Sequence, residues 1–201
     1  MLGQEQAARV EAAIRAAQAR STGQIVVVLA RASAHYETTP LIVSALLALV
    51  SPWPLLVFTG IPAERIFLVQ LAVFLVALAL LSLPGLRQRL TPAAVRRSHA
   101  HRAAIEQFVI RGLTHCAARN GVLVYVSLAE RYARIVADDG AAKAVGQSHW
   151  KAVVDRLTAA MKTGATAEAL IAAATECGDL LAGEFPAQAP PTATFQRFYM
   201  L

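Results

Sequence analysis

Residues 41–58 read LIVSALLALVSPWPLLVF and residues 66–83 read IFLVQLAVFLVALALLSL, with no ionisable side chain in either run. A helix rises about 1.5 Å per residue, so each run with its uncharged flanks approaches the ~30 Å hydrocarbon thickness of a bilayer. Two adjacent runs of this kind could be buried in a soluble core only by a far larger shell than the rest of a 201-residue chain can build. They are therefore read as a transmembrane hairpin, with helices at about 41–59 and 66–83. The apolar fraction of 56% is concentrated in this block, which points to lipid contact.

Ser51-Pro52-Trp53-Pro54 interrupts the first run. Two prolines remove backbone donors and clash with the preceding turn, which predicts a kink or break. In lipid the freed carbonyls must find other donors, so a segment entering only partway is the alternative to a full span.

The hairpin is flanked by basic residues. Arg9, Arg15, Arg20 and Arg31 precede it, and Arg87, Arg89, Arg96, Arg97 and Arg102 follow it, whereas the connector 60–65 carries only Arg65 beside Glu64. The positive-inside rule then places both flanks, and both termini, in the cytoplasm, with the connector outside the inner membrane. Residues 1–22 are charged and lack the apolar segment of a secretory signal. The net charge of +6 and the pI near 9.9 owe much to the arginines beside the membrane. They lack interleaved aromatics, which argues against nucleic acid. Anionic headgroups are the expected contacts of Arg87, Arg89, Arg96 and Arg97, with the lipid bilayer and a membrane protein as expected partners.

The remaining sequence reads as one α/β domain. Ala7, Val10, Ile14 and Ala17 mark an amphipathic helix over 4–20. Gln24-Ile25-Val26-Val27-Val28-Leu29-Ala30 is a continuous apolar run, the mark of a strand covered on both faces. Beyond the hairpin, Pro92 opens a helix that the apolar spacing carries to Ala118. Arg119-Asn120-Gly121 signals a turn into the strand Val122–Val126, and Ser127–Arg131 leads to a partner strand, Tyr132–Ala137. Helices follow at about 148–162 and 166–183, with Gly164 suited to the C-cap between them. The proline-rich stretch from Pro186 reads as a flexible tail whose Phe195, Phe198 and Tyr199 could dock on the membrane surface. The fold class is thus an α/β/α sandwich with a small sheet, split as 1–40, the hairpin 41–84, and 85–185.

Arg20-Ser21-Thr22-Gly23-Gln24-Ile25-Val26-Val27-Val28, Asn120-Gly121-Val122-Leu123-Val124-Tyr125-Val126-Ser127 and Arg131-Tyr132-Ala133-Arg134-Ile135-Val136-Ala137-Asp138 together resemble the TPM-domain family over about residues 5–185. The hairpin after the first strand is similar to that of a bacterial membrane-protein subfamily. The resemblance implies a TPM-like sandwich. For function it implies acid phosphatase activity, calcium binding or assistance to membrane complexes. The turn entering the second strand, often acidic in the wider family, is Ala118-Arg119-Asn120 here and offers no carboxylate, which counts against metal binding and phosphatase chemistry.

Asp138 and Asp139, at a strand end before a helix, are the candidate ligands for a divalent cation, the one cofactor that comes into view. The preferred reading is that one caps the helix and the other is solvated, because a calcium site needs six or more oxygens. His99 and His101 stand two apart, on different faces of a helix, and His115 beside Cys116 is a poor chelate. Cys116 and Cys177, both in predicted helices, read as reduced packing residues. No nucleophile elbow, phosphate loop, dinucleotide fingerprint or zinc signature occurs. An interaction or accessory module at the membrane is therefore expected, and a metal-dependent phosphatase-like hydrolase using Asp138 or Asp139 is the alternative.

Overall fold

The structure, a computed structural model, describes residues 2–33, 38–58, 60, 62–83, 92–116, 118–187 and 197–201. In chain order the elements are α1 (Gln4–Gln18), β1 (Gln24–Ala30), α2 (Thr38–Val50), α3 (Pro52–Phe58), α4 (Ala63–Leu81), α5 (Ala93–Ile110), a 3-10 turn (Leu113–His115), β2 (Gly121–Ser127), β3 (Tyr132–Ala137), α6 (Asp139–Val145), α7 (Gln147–Lys162), α8 (Thr166–Glu184) and β4 (Phe198–Met200). Two compact units result, residues 1–33 with 97–201, and residues 34–96.

The first unit is built on a four-stranded sheet in the order β3-β2-β1-β4. Strands β1 and β2 are parallel in one unbroken register from Gln24 opposite Gly121 to Ala30 opposite Ser127. Strand β3 folds back antiparallel on β2, with Val122 opposite Ala137. Period-two alternation explains why the strand sequences are apolar throughout. Ile25, Val27, Leu29, Val122, Val124 and Val126 face one core, which Val10 and Ile14 of α1, Leu157 of α7 and Leu170 and Leu181 of α8 complete. Val26, Val28, Leu123 and Tyr125 face the other, against Ala104 and Phe108 of α5 and Leu113. The architecture is the expected α/β/α sandwich.

Three elements differ from the sequence reading, the first being α6, a separate short helix ahead of the one expected at about 148–162. The helix from Pro92 stops at Ile110 instead of running to Ala118, because Gly112 takes a left-handed conformation (φ 68°) and its N–H bonds Val109 O at 2.9 Å. Cys116 consequently lies in extended backbone outside any helix. The segment expected as a flexible tail from Pro186 supplies an edge strand: β4 pairs parallel with β1, Val27 opposite Phe198, and Phe198 is buried.

The second unit holds the apolar hairpin. The first apolar run breaks at Ser51, and Pro52 starts α3, where a missing N–H costs no helical bond. The same proline leaves Ala48 O without its helical donor, and the Ser51 hydroxyl bonds that oxygen at 2.9 Å. Ser44 is buried and its hydroxyl bonds Leu41 O at 3.0 Å, and Ala48 and Ile66 are among the buried apolar residues of the unit. Pro40–Phe58 and Ala63–Leu81 are each long and apolar enough to cross a membrane.

Helices α1 and α8 meet at Gly178. A Cβ built there would stand 2.6 Å from Ala17 Cβ and 3.0 Å from Ala17 Cα. Helix propensity favours alanine over glycine by about 1 kcal/mol, but overpacking costs about 1–3 kcal/mol. Thermal unfolding of the full chain in detergent micelles is expected to order the midpoints wild type, then Gly178→Ala, then Gly178→Val. A Gly178→Ala midpoint above wild type would contradict the close packing.

Candidate functional site

Strand ends at the N-terminal side of β1 and β2 gather most of the polar side chains that could carry chemistry. One group is the acidic turn. Asp138 is the N-cap of α6: its Oδ1 accepts the Asp139 N–H at 2.8 Å, and its own N–H bonds Gly121 O at 2.8 Å. Of the two aspartates, one of which was expected to be solvated, Asp139 is 76% exposed and Asp138 is 4% exposed.

Both carboxylates are engaged by Arg119. Its Nε donates to Asp138 Oδ1 at 3.0 Å, and a terminal guanidinium nitrogen donates to Asp139 Oδ2 at 2.8 Å. The Arg119 backbone has φ 51°, a left-handed conformation that costs a non-glycine residue roughly 1–2 kcal/mol. Its N–H bonds Cys116 O at 2.9 Å and its carbonyl accepts from Ala141 N at 3.1 Å, which holds the conformation. Gly140 accommodates this approach, since a Cβ there would lie 2.6 Å from Ala118 O and 2.7 Å from Arg119 O.

A divalent cation fits this arrangement poorly. The guanidinium stands where a cation would compensate the two carboxylates, and two carboxylates fall short of the oxygen set a calcium ion takes. Among the described residues no three His, Cys, Asp or Glu side chains converge. One atom is left over, because Asp138 Oδ2 is buried without a partner among them. Burial and then the charge of Asp138 push the Cys116 thiol up. Cys177 lies in the core, where burial raises its thiol to about 12, as suits a packing residue.

Beside the turn lies a basic cleft of about 310 Å³ lined by Gln18, Arg111, His115, Cys116, Arg197 and Tyr199 among others. The Arg111 guanidinium stacks 3.5 Å above the Tyr199 ring. Arg111 Nε and Gln18 Oε1 are buried without hydrogen-bond partners among the described residues. Arg197 is buried, and burial first, then Arg15, lower its pKa, with Glu11 opposing. Gln18, Arg111 and Arg197 did not stand out in the sequence, because Arg197 immediately precedes the unrecognised edge strand and Arg111 lay inside an overlong predicted helix.

At the opposite sheet end Glu130 is buried, its carboxylate accepting from the Ser33 N–H at 3.1 and 3.2 Å and from the Ser127 hydroxyl. Tyr125 Oη and Ser33 Oγ are 3.0 Å apart. The larger cleft at this end, about 470 Å³ with Arg131, Lys162 and Thr166 on its walls, contains no buried unpartnered side-chain atom among its described residues. Arg87 and Arg89 lie outside the described residues. Arg96 and Arg97 stand in the first turns of α5, Arg97 exposed and Arg96 half-buried. His101 contacts the Arg134 guanidinium, and His115 Nδ1 lies 3.2 Å from Thr114 Oγ1.

Unequal roles for the two aspartates follow. Asp138→Ala removes a buried cap and is expected to cost about 1–2 kcal/mol. Asp139→Ala removes an exposed pair and should cost under about 1 kcal/mol. Thermal melts of the full chain measure both, and equal losses would show that Asp138 is no more than another surface carboxylate.

Comparison with known proteins follows the same geometry. No curated protein matches the chain in sequence. Among solved structures, the NMR structure of the BA42 protein from the psychrophilic bacterium Bizionia argentinensis has a TM-score of 0.61 and 16% identity, over 100% of this chain and 95% of that chain, which shows a shared fold. The acidic turn, β2, β3 and most of the helical layer behind them fall within residues 91–180, the segment that matches the family described as the TPM domain.

Proposed function

We propose that the chain is a membrane-anchored accessory or interaction module of the hairpin-bearing bacterial TPM subfamily. The observation carrying this reading is the exposure of the two apolar helices: only 11% of the Pro40–Phe58 window and 6% of the Ala63–Leu81 window are buried. A core helix of a soluble protein would be mostly covered. Trp53, Phe58 and Phe67 are 73%, 84% and 70% exposed, which is unfavourable in water and favourable in lipid. On this reading the hairpin spans the inner membrane, both termini are cytoplasmic, and the α/β unit meets a membrane-protein partner. Arg87, Arg89, Arg96 and Arg97 contact anionic headgroups.

The alternative is a metal-dependent hydrolase of phosphate esters. The unpartnered Oδ2 of Asp138 is the observation on its side, and the Arg119 guanidinium counts against it.

Two measurements test these readings. A reporter active only outside the cytoplasm is expected to be silent when fused before Met1 or after Leu201 and active when inserted beside Ala63; activity at either terminus contradicts the topology. Purified full-length protein is expected to release no phosphate from a generic ester with calcium or magnesium. Metal-dependent release that Asp138→Asn with Asp139→Asn abolishes would establish the hydrolase instead.

A further inference from the structure

We propose that the basic cleft formed by Gln18, Arg111, His115, Arg197 and Tyr199 is a binding site for a small, hydroxyl-bearing dianion, of the phosphate-monoester or dicarboxylate kind. The inference is independent of the membrane reading and of the acidic turn.

Charge is the first argument. Two guanidinium groups, Arg111 and Arg197, line a cleft of about 310 Å³ whose described lining residues include no carboxylate side chain, and the Glu11 charge that acts on Arg197 from outside the lining is outweighed by that of Arg15. Two fixed positive charges in a partly desolvated space match two negative ones. The carbonyl end of α5 has the opposite sign, but a half-charge spread over a last turn is smaller than two full charges.

Preorganisation is the second. The Arg111 guanidinium is held 3.5 Å over the Tyr199 ring, so its plane is fixed before a ligand arrives. Its Nε is buried with no partner among the described residues, a donor that an oxyanion could satisfy.

The third argument sets specificity. Gln18 is 7% exposed, and its Oε1 is a buried acceptor without a donor. An anion alone cannot satisfy an acceptor, whereas a hydroxyl next to the anionic group can donate to it. Ile25 and Val26 add apolar wall, which suits a short carbon skeleton.

Calorimetric titration of the full chain in detergent micelles, with glycerol 3-phosphate, malate and succinate as probes, tests the site. Saturable binding of glycerol 3-phosphate or malate is expected, and which of them binds distinguishes a phosphate from a dicarboxylate ligand. Succinate, which lacks the hydroxyl, should bind at least about tenfold more weakly than malate where malate binds. Arg111→Lys keeps the charge but loses the planar fork, and should weaken the bound probe about tenfold or more. Gln18→Leu should weaken the hydroxylated probe and remove any malate preference over succinate. Thermal melts identify a variant that fails to fold, in which case the other variant decides. No saturable binding of either hydroxylated probe, or binding unchanged in the folded variants, would overturn the proposal.

Discussion

Parallel pairing of β1 with β2 is the constraint on which the α/β unit depends. Seven residue pairs, from Gln24 with Gly121 to Ala30 with Ser127, join segments about a hundred positions apart in sequence. Both strands are central, so each carries one row of side chains into either core, and a one-residue slip would exchange the two rows. At the exit of β1 the register is secured by Glu130, whose carboxylate takes the Ser33 N–H across a separation of 97 residues. At the entry of β2 it is secured by the turn that ties Arg119 to Asp138 and Ala141. Both ends of the pairing are therefore closed by polar contacts from the β3 side of the sheet.

This pairing also explains why an apolar hairpin can occupy the middle of the domain's sequence. Parallel strands cannot be joined by a tight turn and need a crossover, which α5 supplies here. Lengthening an obligatory connection adds closure entropy only logarithmically, roughly 0.6 kcal/mol per doubling. The hairpin enters between Ser33 and α5, where the sheet sets no length, and leaves both β1 and β2 intact. Inside the hairpin, the Ser51 hydroxyl satisfies the carbonyl that Pro52 strands, a local solution to a break in the helical bonding.

What was legible in the sequence follows from how local each signal is. The strands Gln24–Ala30 and Val122–Val126 announce themselves because burial on both faces leaves unbroken apolar runs, and Asn120-Gly121 marks the turn between helix layer and strand. The cap role of an aspartate at the end of β3 was legible because a short side-chain oxygen ahead of a helix is a local signal. Gly112 inside a periodic apolar pattern was outweighed by that pattern, although its left-handed φ ends the helix. Strand β4 carries only three residues after a proline-rich stretch, too short for alternation to register, and its place beside β1 is fixed by Val27 and Leu29. The basic cleft was illegible because Gln18, Arg111 and Arg197 come from three distant segments, each ordinary in its own context.

The acidic turn shows how a single residue changes the chemistry a fold can offer. Two adjacent carboxylates repel, and a nearby cation offsets that repulsion. In this chain the cation is covalently part of the turn: Arg119 reaches both aspartates, and its backbone, held left-handed by Cys116 and Ala141, cannot move without releasing α6 from β2. A mobile metal ion could exchange, take a substrate oxygen or activate water, whereas a guanidinium has no open coordination position and no readily lost proton. The same two charges that could have made a reactive centre therefore serve as a staple between strand and helix, and the adjoining cleft carries Arg111 and Arg197 with no carboxylate side chain among its described lining residues.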